Sequence, residues 1–522
     1  MRILLFCHLG QIREYADYIN AFKKVNPVES LLLIMGRDEY ELGQEVGAFD
    51  LVKDILPKQS ELDAVDTPLA EAAQSLSQLE KRIGMNFVSR DILMDRFFRG
   101  QVSLDVDLKV MPLIWTGSRT KQFMHLISKR LEEEIVRFYP DFVFVETSSA
   151  PTRMAWRLAC EKGIPAGGFM PVRFWPKRLY LETGIGYDWN EARVAYAEMS
   201  GRPMTGEELT MVKNRLQIIR QEKTKPAYLQ TEHAKGAPSF FKKLYKMRLF
   251  AGLDPWLGKR ARTCTRNPVV LPSVINSPIA KYVRFRSGQK GKRYLLKHQT
   301  PFDKIRTTKY AIYFLHVQPE ITVEGMAFDY QDQVSTLRNI LASLPSDTNL
   351  VVKEHSPMLG FRPVEVYNQL VHMPGLIIAD TYEDSHNLIT HASCVITLTG
   401  TVALEAVLYG IPAIVLGSIY FNSFNGIYKP ENLNELKKLL SNPEGLLGAT
   451  EEDALRALGS ILRASAPGRL PRVDVTLQDI DLESAKVMIS ELESACDELM
   501  YSNSNSSSAA QSSKKIETPF VR

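Results

Sequence analysis

The chain has 522 residues, 45% hydrophobic and 24% charged, which is ordinary globular composition at a length that suits two or three domains. This composition excludes a collagen-like, disulfide-stapled or largely disordered chain. The formal net charge of +4 hides an asymmetry, because residues 241–300 hold 15 of the 64 Lys and Arg residues but one acid, Asp254. A strongly basic block therefore interrupts a chain that is otherwise acidic.

The cysteines and the N-terminus favour a reducing, cytoplasmic location. The five cysteines are odd in number, far apart and never in a Cys-x-x-Cys pair: Cys7, Cys160, Cys264, Cys394 and Cys496. This spacing argues against disulfides and zinc sites. Residues 1–10 hold a short apolar run without a small-residue cleavage site, so they predict a first strand and not a signal peptide.

The N-terminal third alternates apolar runs with helical patterns. We predict strands at 3–7, 31–35 and 142–145, and helices at 13–24 and 121–138. Strands separated by helices are typical of a parallel, doubly wound sheet. Residues 1–189 are therefore predicted to form a Rossmann-like domain.

Two polar residues follow strands of this domain. Glu146 comes directly after the strand at 142–145 and begins the polar turn Thr147–Ser149, while His8 follows the first strand. Glu146 is a candidate catalytic acid or base. The alternative is a structural carboxylate that the dipole of the next helix favours.

Residues 190–308 interrupt the alternation and contain the basic block. Within them, Ser239–Phe250 places aromatic and apolar side chains on one face and most lysines elsewhere, which predicts a basic amphipathic helix. We expect this connecting segment to be largely helical. An anionic lipid surface or a lipid-phosphate-linked glycan suits its charge better than nucleic acid, because no nucleic-acid reader motif accompanies the block.

A second alternation of strands and helices begins at residue 309. Its predicted strands are at 310–315, 350–353, 376–379, 395–398 and 413–416. Residues 309–500 are therefore predicted to form a second Rossmann-like domain, followed by a polar, disordered tail at 501–522. Both predicted domains contain a Gly-Ile-Pro-Ala sequence after a helix, at 163–166 and 410–413. Internal duplication and a common helix stop explain this echo equally well.

The stretch 393–421 carries a single charge, Glu405, and is long enough to span a bilayer. However, the turn Thr399–Thr401 and the glycines Gly410 and Gly417 divide it into short pieces of changing period. We therefore predict a buried strand, helix and strand here, and not a membrane span.

The turn Thr399-Gly400-Thr401 follows a predicted strand and precedes a predicted helix. Free N–H groups at a helix start, a glycine and two hydroxyls suit a phosphate. A plain turn with threonine as the helix cap is the alternative. Glu405 lies on the same side of this helix, where it could accept from a ribose hydroxyl or pair with a structural cation.

The segment Val351–Pro357 ends another predicted strand. Alternation places Lys353 and His355 on the same side as the chain leaves the sheet. A cation beside an imidazole suits a leaving phosphate, by charge or by proton donation. A structural histidine at a strand end is the alternative.

A third group of polar residues follows the first strand of the second domain. Gln318 and Glu320 come first, and Asp329 and Asp332 follow, which would bring three carboxylates to the cleft. A carboxylate can act as a base or as a nucleophile at an anomeric carbon. A solvated acidic loop is the alternative.

These motifs together resemble the bacterial capsule and surface-polysaccharide biosynthesis family, which includes retaining transferases of 3-deoxy-manno-octulosonic acid (Kdo) from CMP-Kdo. The resemblance rests on five sequence motifs within 309–430: Leu315-His316-x-Gln318-Pro319-Glu320-x-Thr322, Asp332-Gln333, Lys353-Glu354-His355, Thr399-Gly400-Thr401-Val402-x-x-Glu405-Ala406 and Gly410-Ile411-Pro412. One departure is that Ser356 follows His355, where the family commonly has proline.

The resemblance implies a GT-B architecture, in which the second domain holds a sugar nucleotide and the first faces the acceptor. It implies that His355, the turn Thr399–Thr401 and Glu405 lie near the nucleotide. Gln318 and Lys353 are further candidates for substrate binding. Glu320 is then the candidate nucleophile. The implied reaction transfers a sugar, with Kdo as the leading donor sugar, to a bacterial surface glycan such as capsule or lipopolysaccharide.

No metal or other cofactor is expected besides the sugar-nucleotide co-substrate, because no Asp-x-Asp pair follows a predicted strand. We expect a cytoplasmic enzyme whose basic segment contacts the inner face of the bacterial cytoplasmic membrane. The alternatives are a sugar-nucleotide epimerase or hydrolase of similar shape and a non-catalytic glycan-assembly protein at the membrane.

Overall fold

The protein contains two α/β domains, each built on a largely parallel sheet. The computed structural model describes residues 1–6, 11–58, 61–62, 69–95, 98, 117–185, 189–223, 278–318, 320–468 and 480–508. Each strand predicted from the sequence is present to within one or two residues. The predicted class of two doubly wound α/β domains is therefore confirmed.

The first sheet has the strand order of a Rossmann half. Its first six strands are β1 (Arg2–Phe6), β2 (Glu29–Ile34), β3 (Leu51–Asp54), β4 (Phe142–Val145), β5 (Ala166–Pro171) and β6 (Arg178–Glu182). The order β3-β2-β1-β4-β5 is parallel throughout, and β6 adds to β5 in antiparallel sense. The central strands are almost continuous apolar runs, as expected of parallel strands covered on both faces.

Helices cover both faces of this sheet. They are α1 (Ile12–Phe22), α2 (Arg37–Glu45), α3 (Leu69–Ile83), α4 (Val88–Met94), α5 (Gly117–Phe138) and α6 (Ala150–Glu161). Alternate residues of β1 enter the two cores, Leu4 on the side of α5 and Leu5 on the side of α1. On α5, Phe123, Ile127 and Leu131 are buried at intervals of four residues, which forms the stripe that faces the sheet.

The second sheet repeats this order. Among the described residues, four helices precede it: α7 (Asn190–Glu198), α8 (Gly206–Glu222), α9 (Pro278–Lys297) and α10 (Phe302–Ile305). Its strands are β7 (Tyr310–Phe314), β8 (Asn349–Lys353), β9 (Leu376–Ile378), β10 (Cys394–Thr397), β11 (Ala413–Val415) and β12 (Ile427–Tyr428). All strands of this sheet are parallel, in the order β9-β8-β7-β10-β11-β12. Successive strands are added on one side of β7 up to β9 and on its other side from β10 onward, and ligands bind at such a switch point, here between β7 and β10.

Most of the helices that follow the strands of the second sheet are short. They are α11 (Ile321–Glu324), α12 (Gln333–Leu341), α13 (Val364–Val371), α14 (Ser385–Thr390), α15 (Val402–Leu408), α16 (Leu433–Leu440) and α17 (Glu451–Arg463). The apolar stretch 393–421 forms β10, α15 and β11, as predicted. No helix in the part of the chain that the structure describes has the length and apolarity needed to cross a membrane.

The chain crosses between the domains differently from the predicted boundaries. After α17, strand β13 (Ala466–Pro467) pairs with β6, and helix α18 (Leu482–Ser508) buries Met488 and Leu492 against the first domain. The second domain therefore ends near Arg463 and not at residue 500. Conversely, α7 and α8 pack on α17 and belong with the second domain. Amphipathic helices pack wherever an apolar face is available, which periodicity alone does not specify.

Several predictions fall on parts of the chain that the structure does not describe. His8, the helix predicted at Ser239–Phe250 and most of the basic block lie outside the described residues. The backbone of α18 runs to Ser508, so the prediction of a disordered tail is wrong for residues 501–508, and residues 509–522 lie outside the described part of the chain. An established helix extends residue by residue at low free-energy cost, even into polar sequence.

Candidate functional site

A cavity of about 440 Å³ lies at the carboxyl ends of the strands of the second sheet. Five residues at strand ends line the cavity. His316 follows β7, Lys353 is the last residue of β8 and His355 lies just beyond it, Thr381 follows β9, and Thr399 follows β10. The cavity opens at the switch point between β7 and β10. The sheet topology thus collects side chains from distant parts of the sequence in one place.

Seven of the residues singled out from the sequence line this cavity together: Glu320, Lys353, His355, Thr399, Gly400, Thr401 and Glu405. Gln318 and Glu146 lie outside its lining. Arg173, from the loop after β5 of the first domain, reaches the cavity from the other side. Both domains therefore contribute to its walls, which is the inter-domain arrangement expected of a GT-B protein.

Lys353 and His355 lie together at the end of β8. The Lys353 side chain is largely buried, and its Nζ donates to the carbonyl oxygen of Thr381 over 2.9 Å. Burial first, and the charge of Lys353 next, lower the pKa of His355 to about 4. The imidazole is therefore neutral at pH 7. Its Nδ1 atom is buried and has no hydrogen-bond partner among the described residues.

Glu354, between these two residues, holds the end of β8 in place through buried hydrogen bonds. Its buried carboxylate accepts from the Arg362 guanidinium over 2.7 Å and from the Tyr367 hydroxyl over 2.8 Å. The same carboxylate accepts from the backbone N–H of His355 over 2.7 Å. Because buried charge-assisted hydrogen bonds are strong and directional, Glu354 positions His355. The sequence hinted at this role only by placing a carboxylate between a cation and an imidazole.

His316 lines the cavity but was not among the candidate site residues predicted from the sequence. Its Nε2 lies 2.8 Å from Thr397 Oγ1 and accepts from the backbone N–H of Leu398 over 3.0 Å. Because a backbone N–H can only donate, Nε2 is an acceptor and Nδ1 carries the proton of the neutral ring. Burial is the main cause that lowers the pKa of His316 to about 3. Its position directly after β7 was the signal available in the sequence.

The turn Thr399-Gly400-Thr401 is held by contacts that differ from a simple capped turn. Thr399 donates to the carbonyl oxygen of Thr322 over 3.0 Å, and Gly400 N–H donates to Thr397 Oγ1 over 3.1 Å. Thr401 makes no side-chain capping bond to α15 and instead accepts from Arg173 over 3.3 Å. Threonine capping, the alternative considered for this turn, is therefore not what the structure shows.

Gly400 is required by close packing. A Cβ atom built on it would lie 2.6 Å from Thr397 Oγ1 and 3.2 Å from His316 Cε1. Any larger residue would push the turn away from the two groups that support it. The Gly400 N–H is already engaged with Thr397, so the glycine serves the shape of the turn more than direct donation to an anion.

Glu405 and Glu320 are the two predicted carboxylates in the cavity lining. Glu405, on α15, is 5% exposed, and it contributes a buried acid to the wall beside the turn. Glu320 lies directly before α11, is exposed, and accepts from the Thr322 hydroxyl over 2.9 Å. One carboxylate therefore lies inside the cavity wall and one lies at its rim.

The prediction that three carboxylates of the 318–332 segment reach the cleft is wrong. Asp332 caps α12, where it accepts from the N–H groups of Val334 and Ser335. Its pKa is lowered by hydrogen bonds from Ser335, against an opposing effect of burial. Asp329 is exposed and is not part of the cavity lining. A carboxylate just before a helix has a structural use that spacing alone does not reveal.

Gln318 braces the loop and does not face the cavity. Its amide nitrogen donates to the carbonyl oxygen of Gln331 over 2.6 Å, and its amide oxygen accepts from Gln333 over 2.7 Å. Gln333 also accepts from the backbone N–H of His316 over 2.8 Å. The two glutamines thus fix the backbone that carries His316.

Glu146 lies at the end of β4 in the first domain, away from this cavity lining. Its carboxylate accepts from the side-chain amide of Gln11. The first domain reaches the cavity through Arg173 instead, an exposed residue in an irregular loop. Nothing in the local sequence around Arg173 signals that role, because the contact depends on how the two domains meet.

Residues 278–456 match the model of the family described as capsule polysaccharide biosynthesis protein. Every motif on which the predicted resemblance rests lies within these residues. The family resemblance is therefore confirmed over this part of the chain. No curated protein sequence matches the chain.

Several solved structures have a related layout at low similarity. A putative UDP-N-acetylglucosamine 2-epimerase from Listeria monocytogenes is 12% identical, with 88% of this chain and 93% of that chain covered and a TM-score of 0.25. The KpsC beta Kdo 2,7 transferase of Thermosulfurimonas dismutans is 11% identical, with 68% and 84% covered and a TM-score of 0.33. The KpsC beta Kdo 2,4 transferase from the same organism is 13% identical, with 61% and 86% covered and a TM-score of 0.32.

Proposed function

We propose that this protein is a glycosyltransferase that moves a sugar from a sugar nucleotide to a bacterial surface-glycan acceptor, with Kdo from CMP-Kdo as the leading donor. One observation carries the proposal: two cations, an unpartnered imidazole nitrogen and two carboxylates line a single cavity between two Rossmann-like domains. The capsule polysaccharide biosynthesis match supports a role in glycan assembly.

The phosphate of the donor would lie among Lys353, Arg173 and His355. Lys353 and Arg173 supply positive charge where negative charge develops on the leaving phosphate. The buried Nδ1 of His355 costs free energy while it has no partner, and an Nδ1–H group would gain one in a phosphate oxygen. Because these groups lie where the charge forms, we propose that the reaction needs no metal.

The sugar would lie toward Glu320. In the retaining course that we propose, the Glu320 carboxylate attacks the anomeric carbon while the bond from that carbon to the phosphate oxygen breaks. The nucleotide leaves with the bonding electron pair. An acceptor hydroxyl then attacks the same carbon, the electrons of the bond to Glu320 return to the carboxylate, and the hydroxyl proton passes to water.

The experiment is a transfer assay with CMP-, UDP- and GDP-linked donors on purified wild-type, His355→Ala and Glu320→Gln proteins. Loss of a group that assists departure or attack is expected to lower kcat by about 10²-fold or more. Unfolding curves that match the wild type establish that each variant is folded. Wild-type rates in both folded variants would contradict the proposal.

Product analysis separates the proposal from its rivals. Growth of the acceptor glycan is the predicted product. An altered free or nucleotide-linked sugar without glycan growth would identify an epimerase or hydrolase instead. If none of CMP, UDP and GDP raises the melting temperature, a non-catalytic role is favoured.

A further inference from the structure

We propose that helix α9 binds the surface of an anionic lipid bilayer through a line of four cations. The helix spans 20 residues, and its sequence contains seven Lys or Arg residues and no Asp or Glu. This inference is independent of the proposed transferase reaction, because it rests on a surface away from the cavity lining.

The four cations lie on one face of the helix. Arg286, Lys290, Arg293 and Lys297 are separated by four, three and four residues, and each is exposed. At 3.6 residues per turn this spacing keeps them within an arc of roughly 60°, and at 1.5 Å per residue the line is about 16 Å long. We call these four residues the basic stripe.

The opposite face of α9 is fixed to the second domain. A Cβ atom built on Gly288 would approach the Gly360 carbonyl oxygen within 1.8 Å, and one built on Gly291 would approach that of Arg362 within 2.6 Å. Leu295 is buried, and Tyr294 donates to the side chain of Asn368 over 2.9 Å. The helix backbone therefore lies against the 360–362 loop, which holds the basic stripe outward.

The basic stripe has no counter-charge in the part of the chain that the structure describes. Some half-buried cations elsewhere pair with acids, as Arg220 does with Glu451 at 2.8 Å and Arg463 with Glu208 at 2.9 Å. No described residue forms an ion pair or hydrogen bond with the side chains of the stripe. Like charges three and four residues apart destabilise a helix, so an external anionic partner would stabilise this face.

A bilayer suits this geometry better than nucleic acid. A straight row of cations can meet a plane of lipid phosphates along its whole length, and each cation near such a surface adds about fivefold to the partition coefficient. Binding to single-stranded nucleic acid depends on aromatic side chains that stack on bases. Among the side chains of α9 that the structure describes, the aromatic one is Tyr294, which is half-buried and already bonded to Asn368.

The test is flotation of the full-length protein with vesicles of phosphatidylcholine alone or with about 30% phosphatidylglycerol. The stripe variant is R286Q/K290Q/R293Q/K297Q. The control is K177Q/K213Q/K437Q/K438Q, which removes the same charge from exposed lysines outside α9. Matching melting curves establish that all three proteins are folded.

We expect the wild type and the control to float with the anionic vesicles and not with the neutral ones. The partition coefficient should fall at least tenfold in the stripe variant, and salt near 0.5 M should release the wild type because it screens the charges. Equal recovery with both vesicles, or anionic binding that the stripe variant keeps, would overturn the proposal. Loss of duplex DNA binding with unchanged vesicle binding in the stripe variant would overturn it in favour of nucleic acid.

Discussion

The two domains share a strand order but use their strand ends differently. In the first domain, side chains of the protein accept hydrogen bonds from the first N–H groups of the helix after β4. Ser149 caps α6 in a capping box, and Asp95 accepts from Ala150 N–H over 2.6 Å. In the second domain, the turn before α15 has no side-chain cap and faces a cavity. The same fold therefore supports a capped structural turn in one half and an uncapped turn that lines a cavity, where we propose that the donor binds, in the other.

The buried charges show the same contrast. In the first domain, Arg153 and Asp91 are fully buried and pair at 2.9 Å, and Arg153 also donates to the carbonyl oxygen of Thr147. In the second domain, the buried Glu354–Arg362 pair supports His355 and the backbone of His316. The Arg153–Asp91 pair stabilises the turn before α6. The Glu354–Arg362 pair positions residues that line the cavity.

The largest expected effect is on transfer rate. Lys353→Met should lower kcat by about 10²–10³-fold, because it removes a cation from the place where phosphate charge develops. Glu146→Gln should change kcat by less than about tenfold, because that carboxylate is bonded to Gln11 outside the cavity. Steady-state rates of the two folded variants check this difference, and the reverse order would move the chemistry to the first domain.

The next effect is on the pH dependence of stability. The folded-state pKa values of His355, about 4, and His316, about 3, lie below the usual value of 6.5. As the pH falls, these histidines therefore take up protons in the unfolded chain before they do so in the folded protein. Their contribution to the free energy of unfolding is fully present above pH 6.5 and is lost as the pH drops through 5 toward 4. At pH 5 each histidine should lower the free energy of unfolding by about 2 kcal/mol.

Denaturant unfolding between pH 7 and 5 measures this loss, and His355→Asn should remove about half of it. In the wild type, a bound nucleotide phosphate should make the loss of unfolding free energy between pH 7 and 5 smaller than in the unliganded protein, because its negative charge favours the protonated imidazole. A pH dependence that is the same in wild type and His355→Asn would contradict the assignment of a buried, neutral imidazole.

The smallest effect compares the two turns directly. Ser149→Ala should lower the free energy of unfolding by about 1 kcal/mol, because it removes a helix cap, and should leave nucleotide affinity unchanged. Thr401→Ala should change stability by less than about 0.5 kcal/mol and should weaken nucleotide binding. Urea unfolding and calorimetry measure the two quantities, and a cap-sized stability loss at Thr401 would erase the distinction.

Local patterns in the sequence were sufficient to predict the strands and the cavity wall near them. Lys353, His355 and the 399–401 turn each follow an apolar run, and parallel strands bring such ends to one edge. The echo at 163–166 and 410–413 also reflects a local requirement, since Gly163 and Gly410 both adopt positive φ, 69° and 73°, at helix ends.

What could not be predicted depends on contacts between distant segments. Arg173 reaches the cavity only because the first domain packs against the second, and Gln318 turns inward to Gln333 because the 318–333 loop closes on itself. Helix α18 packs on the first domain because an apolar face beside α1 is available to it. Neither charge nor periodicity within one segment carries this information.

The most direct test of the account is calorimetric titration of the sugar-nucleotide donor and its free nucleotide into wild-type, Lys353→Met and Glu146→Gln proteins. We predict one site per wild-type chain, a dissociation constant at least tenfold weaker in Lys353→Met, and unchanged binding in Glu146→Gln. Unchanged affinity in folded Lys353→Met together with lost affinity in Glu146→Gln would contradict the placement of the donor in the second domain.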